Sequence, residues 1–158
     1  MIPILYEKDE TQFTSNGLGR LRDCISCEVT EERNGIYECS FEYPVDGAHF
    51  SEITPGRIIK VTHDETGEAE PFDIVGASKP IDGLVTFHAV HVSYRQLYLT
   101  AYGKNINSLE QAFSMLRNAQ PSNPFEYSAD FESTAFMAAA DGVPRSVRQM
   151  LGGVQGSV

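Results

Sequence analysis

Alternating apolar and polar positions early in the chain predict an antiparallel β-hairpin over residues 24–44. Period two, with one apolar side chain at every second position, is typical of strands that bury one face. The apolar positions are Ile25, Cys27 and Val29 in the first arm and Tyr37, Cys39, Phe41 and Tyr43 in the second. The turn between the arms decides which of these residues lie opposite each other.

The turn is predicted to be a loop of three residues. A two-residue turn at Asn34-Gly35 places Val29 opposite Ser40, which mixes apolar and polar side chains on each face. A loop from Arg33 to Gly35, with Gly35 in the left-handed conformation, aligns the apolar positions instead. We therefore predict one buried face, with Pro44 ending the second arm and with the pairs Val29–Cys39, Cys27–Phe41 and Ile25–Tyr43.

Shorter runs of the same kind predict more strands, at 2–6, 57–63, 71–77 and 84–94. The DETGE segment is predicted to turn between two of them, and Phe50 and Ile53 to anchor a packed loop before them. The run 84–94 is apolar on both faces, so we predict that barrel closure or a neighbouring subunit or domain covers it on both sides. The predicted fold of residues 1–95 is an all-β barrel or sandwich.

The pattern changes after residue 95. Ser108 and Gln111 have the spacing of a capping box, and helical spacing of Leu109, Ala112, Phe113 and Leu116 predicts a helix that ends before Pro121. Alternation predicts a strand at 125–131, and a short helix is predicted from Pro144 to Leu151 with Gly152 as its stop. These elements bury little, so we expect 96–158 to be part of an α/β domain in a truncated chain. A natural end with a flexible tail is the alternative.

Composition narrows the function classes. The chain has 158 residues, 41% of them hydrophobic, and a formal net charge of −10. No apolar run approaches the roughly 20 residues that span a bilayer, and the N-terminal residues lack the pattern of a secretory signal. The excess of carboxylates leaves little electrostatic basis for binding nucleic acid. An acidic surface is also ordinary for soluble proteins, so the charge alone does not identify a function.

The candidate chemical residues are three cysteines and a histidine pair. Cys24 and Cys27 have metal-like or redox-like spacing, but residues three apart on a strand point to opposite faces, so we expect only Cys27 to join Cys39 on the buried face. The same rule separates His88 and His91, one inside and one facing solvent or a partner. We expect all three cysteines to be small apolar fillers or exposed thiols rather than a disulfide framework.

No recognisable catalytic motif is present in the sequence. The metalloprotease, Walker and dinucleotide patterns are missing, and the carboxylates gather on predicted hairpin tips, where they are ordinarily solvated. A Cys/His hydrolase stays formally possible, since such triads assemble in space. We predict no catalytic, cofactor-binding or metal-binding residues, no cofactor and no enzymatic activity. The carboxylates concerned are Glu28, Glu31, Glu32, Asp64, Glu65, Glu68 and Glu70.

Several stretches together resemble the N-terminal region of the tail-tip hub proteins of long-tailed phages and prophages of Gram-positive bacteria. This family is also called tail-associated lysin, prophage endopeptidase tail or phage minor structural protein. The resemblance covers essentially the whole chain, and the run from EVTEERNGIYE to EYP, followed by HVSY, is its most specific part. The stretches are MIPILY, ISCEVTEERNGIYECSFEYPVDGAHFSEI, GRIIKV, EPFDI, FHAVHVSY and RSVRQMLGG.

The resemblance implies a structural part of the virion rather than an enzyme. Family members form a trimeric ring at the tail tip, with β-barrel tube domains and inserted α/β domains like those of baseplate hubs. The implied partners are the distal tail protein and the tape-measure protein, and DNA passes through the channel without specific binding. Lytic or receptor-binding domains lie further along such chains. The alternatives are a carbohydrate-binding β-module of a phage tail and, behind it, a cell-wall hydrolase.

Overall fold

A computed structural model describes residues 1–32, 35–62, 67–103, 105–129 and 142–151. The chain divides into two compact units, Met1–Val92 and Ser93–Val158. The first unit is built on one antiparallel sheet of seven strands, and the second has a two-stranded sheet and two α-helices. The mainly β class predicted from the sequence is confirmed.

The seven strands of the first unit form a curled, half-barrel sheet. Their order across the sheet is β2-β1-β5-β6-β7-β4-β3, and all neighbouring pairs are antiparallel. A short 3-10 helix, Phe50–Glu52, lies between β4 and β5. The strands are β1 (Ile4–Tyr6), β2 (Gly19–Arg20), β3 (Ser26–Glu31), β4 (Tyr37–Pro44), β5 (Ile58–Thr62), β6 (Ala69–Ala77) and β7 (Leu84–His91).

The hairpin of β3 and β4 has the predicted register. Cys27 pairs with Phe41 and Val29 with Cys39, and the backbone N–H of Glu32 donates to the carbonyl of Ile36 across the loop. The loop therefore contains three residues, and the apolar side chains of β4 face the core. Arg33 and Asn34 lie outside the described residues.

Two details of the hairpin differ from the prediction. Ile25 precedes β3, and 63% of its surface is exposed, so its predicted burial opposite Tyr43 is wrong. Gly35 is not among the glycines with a positive φ, so the predicted left-handed bulge is not confirmed. A Cβ at Gly35 would lie 2.6 Å from Cβ of Glu32, and this close approach gives glycine a different role there.

The core of the first unit lies on the inner face of the sheet. Phe41 of β4 stacks on Phe87 of β7 with ring centroids 5.1 Å apart, and Ile53 is buried in the loop as predicted. Side chains from β1, β4, β5, β6 and β7 meet in one cluster, which explains the alternating burial along these strands. The buried members are Leu5, Leu21, Cys39, Phe41, Tyr43, Ile53, Ile59, Val61, Phe72, Ile74, Val85, Phe87 and Ala89.

Closure of the sheet into a barrel is not found among the described residues. The end strands β2 and β3 each pair with one neighbour and not with each other. Leu21, just after β2, is buried in the core, and Leu18 and Cys24 pack against that core. A β2 of only two residues offers too short a ladder for closure.

The predicted strand at 84–94 is shorter than expected. β7 ends at His91, and Val92–Tyr98 forms a 3-10 helix. Only one face of β7 is fully buried: Val85, Phe87 and Ala89 face the core, whereas His88 is exposed on the other face. The strand predicted at 57–63 is confirmed as β5 and that at 71–77 as β6, while residues 63–66 of the predicted DETGE turn lie outside the described residues.

The second unit contains α1 (Leu109–Arg117), α2 (Val147–Met150) and a small sheet of β8 (Thr100–Tyr102) and β9 (Pro144–Ser146). The Ser108 side chain accepts a hydrogen bond from the Gln111 backbone, so the predicted N-terminus of α1 is confirmed. The predicted strand at 125–131 is wrong over residues 125–129, which have no strand structure, and 130–131 are not described. Phe125 and Tyr127 instead pack on the small core of this unit.

The C-terminal helix begins later than predicted. Pro144 lies in β9, and Ser146 caps α2 through a complete capping box with Gln149. A proline is tolerated in β9 because this strand pairs with β8 on one side only and is therefore an edge strand. Arg148 of α2 is buried, with its guanidinium 3.9 Å from the ring centre of Tyr94 and a hydrogen bond to the Ser93 hydroxyl. Gly152, the predicted stop, is not described.

Gly17, in the turn before β2, offers a test of how closely this turn packs on β1 in the first unit. Its φ is +57°, and an added Cβ would lie 2.2 Å from the carbonyl oxygen of Leu5. We expect Gly17→Ala to lower the free energy of unfolding by about 1–3 kcal/mol or more, since backbone strain and the clash add. Urea denaturation measures the loss. Gly83→Ala is the matched control, since φ is +79° with open space around it; equal losses would show that the clash at Gly17 has no effect.

Candidate functional site

The histidine pair of β7 is separated as the sequence predicts. His88 is exposed on the outer face, whereas His91 continues the inner face at the end of the strand. The ring of His91 stacks on Tyr37 with centroids 4.3 Å apart, and its Nε2 lies 3.1 Å from Oε2 of Glu70. The two histidines therefore do not share a site.

Glu70, His91 and Tyr37 form a polar cluster contributed by three strands. Phe72 contacts the rings of Tyr37 and His91 edge-on, at centroid distances of 5.3 and 5.5 Å. Burial and then the charges of Glu70, Glu31 and Glu68 raise the pKa of Tyr37 to about 12, so its hydroxyl is neutral at ordinary pH. A carboxylate orienting a histidine occurs in catalytic sites, where a nucleophilic side chain lies beside the pair. The cluster is best understood as a polar end to the core.

This cluster predicts a loss of stability at alkaline pH. An unfolded tyrosine has a pKa of 10.0 and folded Tyr37 one of about 12, so the folded chain holds this proton more tightly between those values. The contribution of the Tyr37 hydroxyl to the free energy of unfolding is fully present below pH 10 and is lost as the pH rises towards 12. We expect the urea midpoint of the wild type to fall more steeply over this window than that of Tyr37→Phe. Tyr98→Phe, at a ring that is 83% exposed, should follow the wild type; parallel curves for all three chains would contradict the assignment.

The three cysteines lie together, which the sequence did not predict for Cys24. Sγ of Cys27 is 3.7 Å from Sγ of Cys39, and Cys24 packs against the same core and hydrogen-bonds with Cys27. Cys24 precedes β3, so the rule that separates residues three apart on a strand does not apply to it. The expectation that only Cys27 joins Cys39 is therefore wrong.

The surroundings of the Cys24 and Cys27 thiols make these two poor nucleophiles. The hydrogen bond with Cys27, followed by burial, raises the pKa of Cys24 far above its ordinary value. The hydrogen bond with Cys24 favours the Cys27 thiolate, but the bond with Cys39 and burial outweigh it and raise the pKa of Cys27 to about 12. Catalytic cysteines need a lowered pKa, so a Cys/His hydrolase gains no support from these two residues.

The outer face of the sheet carries a shallow cavity of about 370 Å³. Val75 of β6 follows the buried Ile74 and faces outwards with 55% of its surface exposed, and the strand has a bulge between Ile74 and Gly76. Gly76 lies opposite His88 and has no side chain, which leaves a depression next to it. The outward-facing residues around this depression, called the outer patch below, are Thr30, Ile36, Glu38, Ser40, Val75, His88 and Val90.

The outer patch has few charged lining residues, although Glu28 and Asp73 lie beside it, opposite Ser40 and Val90. Glu38 is its one carboxylate, and the patch contains the aliphatic side chains of Ile36, Val75 and Val90. The sequence predicts an outward apolar surface on β7 without extending it to Val75, although alternation with the buried Phe72 and Ile74 already places Val75 on the outer face. Gly76 marks the bulge that follows.

Other kinds of site are not found in the described ranges. No group of three or more histidine, cysteine, aspartate or glutamate side chains there is arranged to hold a metal ion. No helix in the part of the chain that the structure describes is long and apolar enough to cross a lipid bilayer.

Comparison with known proteins identifies no relative. No family model matches the chain, and no match is found among curated proteins or among solved structures. The function proposed below therefore rests on the sequence pattern and on the surfaces described above.

Proposed function

We propose that this chain is a structural hub protein of a phage tail tip, whose copies join as a trimeric ring. The observation that carries the proposal is the outer patch, a weakly charged surface with exposed aliphatic side chains on a sheet that already has a complete inner core. Exposed aliphatic side chains that lie next to one another are typical of surfaces through which proteins associate. Because the sequence resembles tail-tip hubs, which form rings, we propose that the outer patch binds a second copy of the chain.

Charge explains why copies would meet at this surface. Each copy has a formal charge of −10, so two copies repel unless their contact avoids the carboxylates. The outer patch is where an apolar contact can form at small electrostatic cost. An isologous contact would close a dimer, so three copies require a different surface of the neighbour against each patch.

The proposed place of the protein is the virion tail tip, where the ring connects the distal tail protein and the tape-measure protein to receptor-binding or lytic parts. We propose that the chain has the hub fold, with a tube domain and an inserted α/β domain. We also propose a channel, through which DNA passes without specific binding. Carboxylates on the channel wall would repel DNA and limit sticking. In this role the described residues position partners and catalyse no reaction.

Light scattering tests the proposed assembly. The purified full-length protein is measured alone and mixed with the distal tail protein from the same phage. We expect a species that contains three copies of the chain in the mixture. A strict monomer in both samples would refute the proposed function. The same mixture with bovine serum albumin in place of the distal tail protein controls for non-specific association.

A further inference from the structure

A second cavity of the first unit, of about 540 Å³, is open to solvent and has a polar lining. It lies where β2 and the residues after it face the loop before the 3-10 helix. Its size is within the range of pockets that hold small molecules, roughly 300–1,000 Å³. The residues that line it, called the arginine pocket below, are Asn16, Arg20, Arg22, Asp23, Ala48 and His49.

Two arginines project into the pocket without an ion pair. Arg20 and Arg22 are exposed and flank the fully buried Leu21, and the backbone N–H of Arg22 donates to the carbonyl of Arg20 across this tight turn. In the described part of the chain, neither guanidinium has a carboxylate partner. Two adjacent unpaired arginines are unexpected in a protein with 22 acidic and 12 basic side chains.

The carboxylate of the pocket already has other partners. Oδ2 of Asp23 accepts a hydrogen bond of 2.8 Å from the backbone N–H of Ala48 and lies 3.4 Å from the hydroxyl of Tyr43. Asp23 thus connects the two walls of the pocket. The lining residues thus include two guanidinium groups and one carboxylate, while a second carboxylate, that of Glu52, lies behind the ring of His49.

His49 is held in a fixed orientation beside the arginines. Its φ of 67° is left-handed, a conformation that costs a non-glycine residue free energy and that is often found at ligand sites. Nδ1 pairs with the carboxylate of Glu52, and the opposite edge of the ring lies against Gly19, where an added Cβ would be 2.6 Å from Nε2. The ring therefore presents its Nε2 edge beside Gly19 at the pocket wall.

We propose that the arginine pocket binds a phosphate group. Two guanidinium groups can share the oxygens of one phosphate, which offers more acceptor oxygens and a larger negative charge than the two oxygens and single charge of a carboxylate. The side-chain amide of Asn16, which also lines the cavity, carries further N–H donors. Because the cavity is larger than a free phosphate, the group is carried on a small organic molecule or on a polymer or lipid. This site is independent of the proposed ring.

The test uses the full-length protein and follows the ring signals of His49 by NMR. Inorganic phosphate, glycerol phosphate, phosphatidylglycerol vesicles and acetate are titrated separately at constant ionic strength. We expect saturable shifts with at least one phosphate probe and none with acetate. Saturation by glycerol phosphate without vesicle binding identifies a soluble ligand, and the reverse identifies a lipid headgroup. Saturation by acetate alone, or by none of the probes, would overturn the proposal.

Variants locate the binding site. Arg22→Ala should weaken phosphate binding about tenfold and Arg22→Lys by a smaller factor, because lysine keeps the charge but loses the guanidinium fork. Lys79→Ala, which removes an exposed charge outside the pocket, should leave the affinity unchanged. Thermal unfolding checks that each variant is folded, and the exposure of Arg22 predicts that all are. Equal weakening by Arg22→Ala and Lys79→Ala would mean that phosphate responds only to net charge.

Discussion

Phe41→Ala is expected to lower the free energy of unfolding by about 3–5 kcal/mol, as large aromatic-to-alanine changes in a core do. Phe41 has no exposed surface, lies in the middle of β4 and stacks on Phe87 with centroids 5.1 Å apart. Its removal leaves a cavity between the central strands, and the paired neighbours β3 and β7 limit how far the site can collapse. Small domains are stable by only about 5–15 kcal/mol, so the variant should be close to unfolded at physiological temperature.

Urea denaturation followed by circular dichroism measures this loss of stability. Ile81→Ala is the control, since Ile81 is 71% exposed and its truncation should change stability by no more than about 0.5 kcal/mol. A Phe41→Ala chain with the stability of the control would contradict the inner-face core. The second unit has its own buried cluster, so its spectral change is analysed separately.

Val75→Glu is expected to abolish ring assembly and to leave the fold intact. Val75 is 55% exposed at the bulge, so a carboxylate there is solvated in the single chain. In the proposed ring the same carboxylate would be buried without a partner beside Glu38, at a cost of several kcal/mol. We expect the affinity between copies to fall at least about a hundredfold, equivalent to roughly 2.7 kcal/mol.

Ile81→Glu is the matched control for this prediction. It adds the same charge at an exposed aliphatic residue outside the outer patch. Sedimentation with the distal tail protein compares the two variants, and thermal unfolding confirms that both are folded. If Val75→Glu assembles as well as Ile81→Glu does, the contact between copies lies elsewhere on the chain.

Local pattern was sufficient to predict the hairpin and helix α1. Alternation plus the requirement that apolar residues share a face allows only one register for β3 and β4, and Ser108 with Gln111 specifies where α1 begins. Alternation alone misled at 125–131, because Phe125 and Tyr127 pack on the second core without joining a ladder. Pro144 is an equally common start for a helix and for an edge strand, so the sequence could not decide between them.

The features that sequence reasoning missed depend on contacts between distant segments. Cys24 joins Cys27 and Cys39 because the chain bends before β3, which no periodicity indicates. The arginine pocket joins Arg22 to His49 through the hydrogen bond between Asp23 and Ala48, 25 residues apart. The spacing of short strands and turns predicts a barrel or a sandwich, but it does not indicate that β2 has only two residues and does not pair with β3.

The most direct test of the proposed function is electron microscopy of the full-length protein mixed with its distal tail protein. We expect ring-shaped particles with threefold symmetry, in which the outer patch of each copy is covered by the next copy. Particles that contain single copies, or rings in which the outer patch faces solvent, would contradict it.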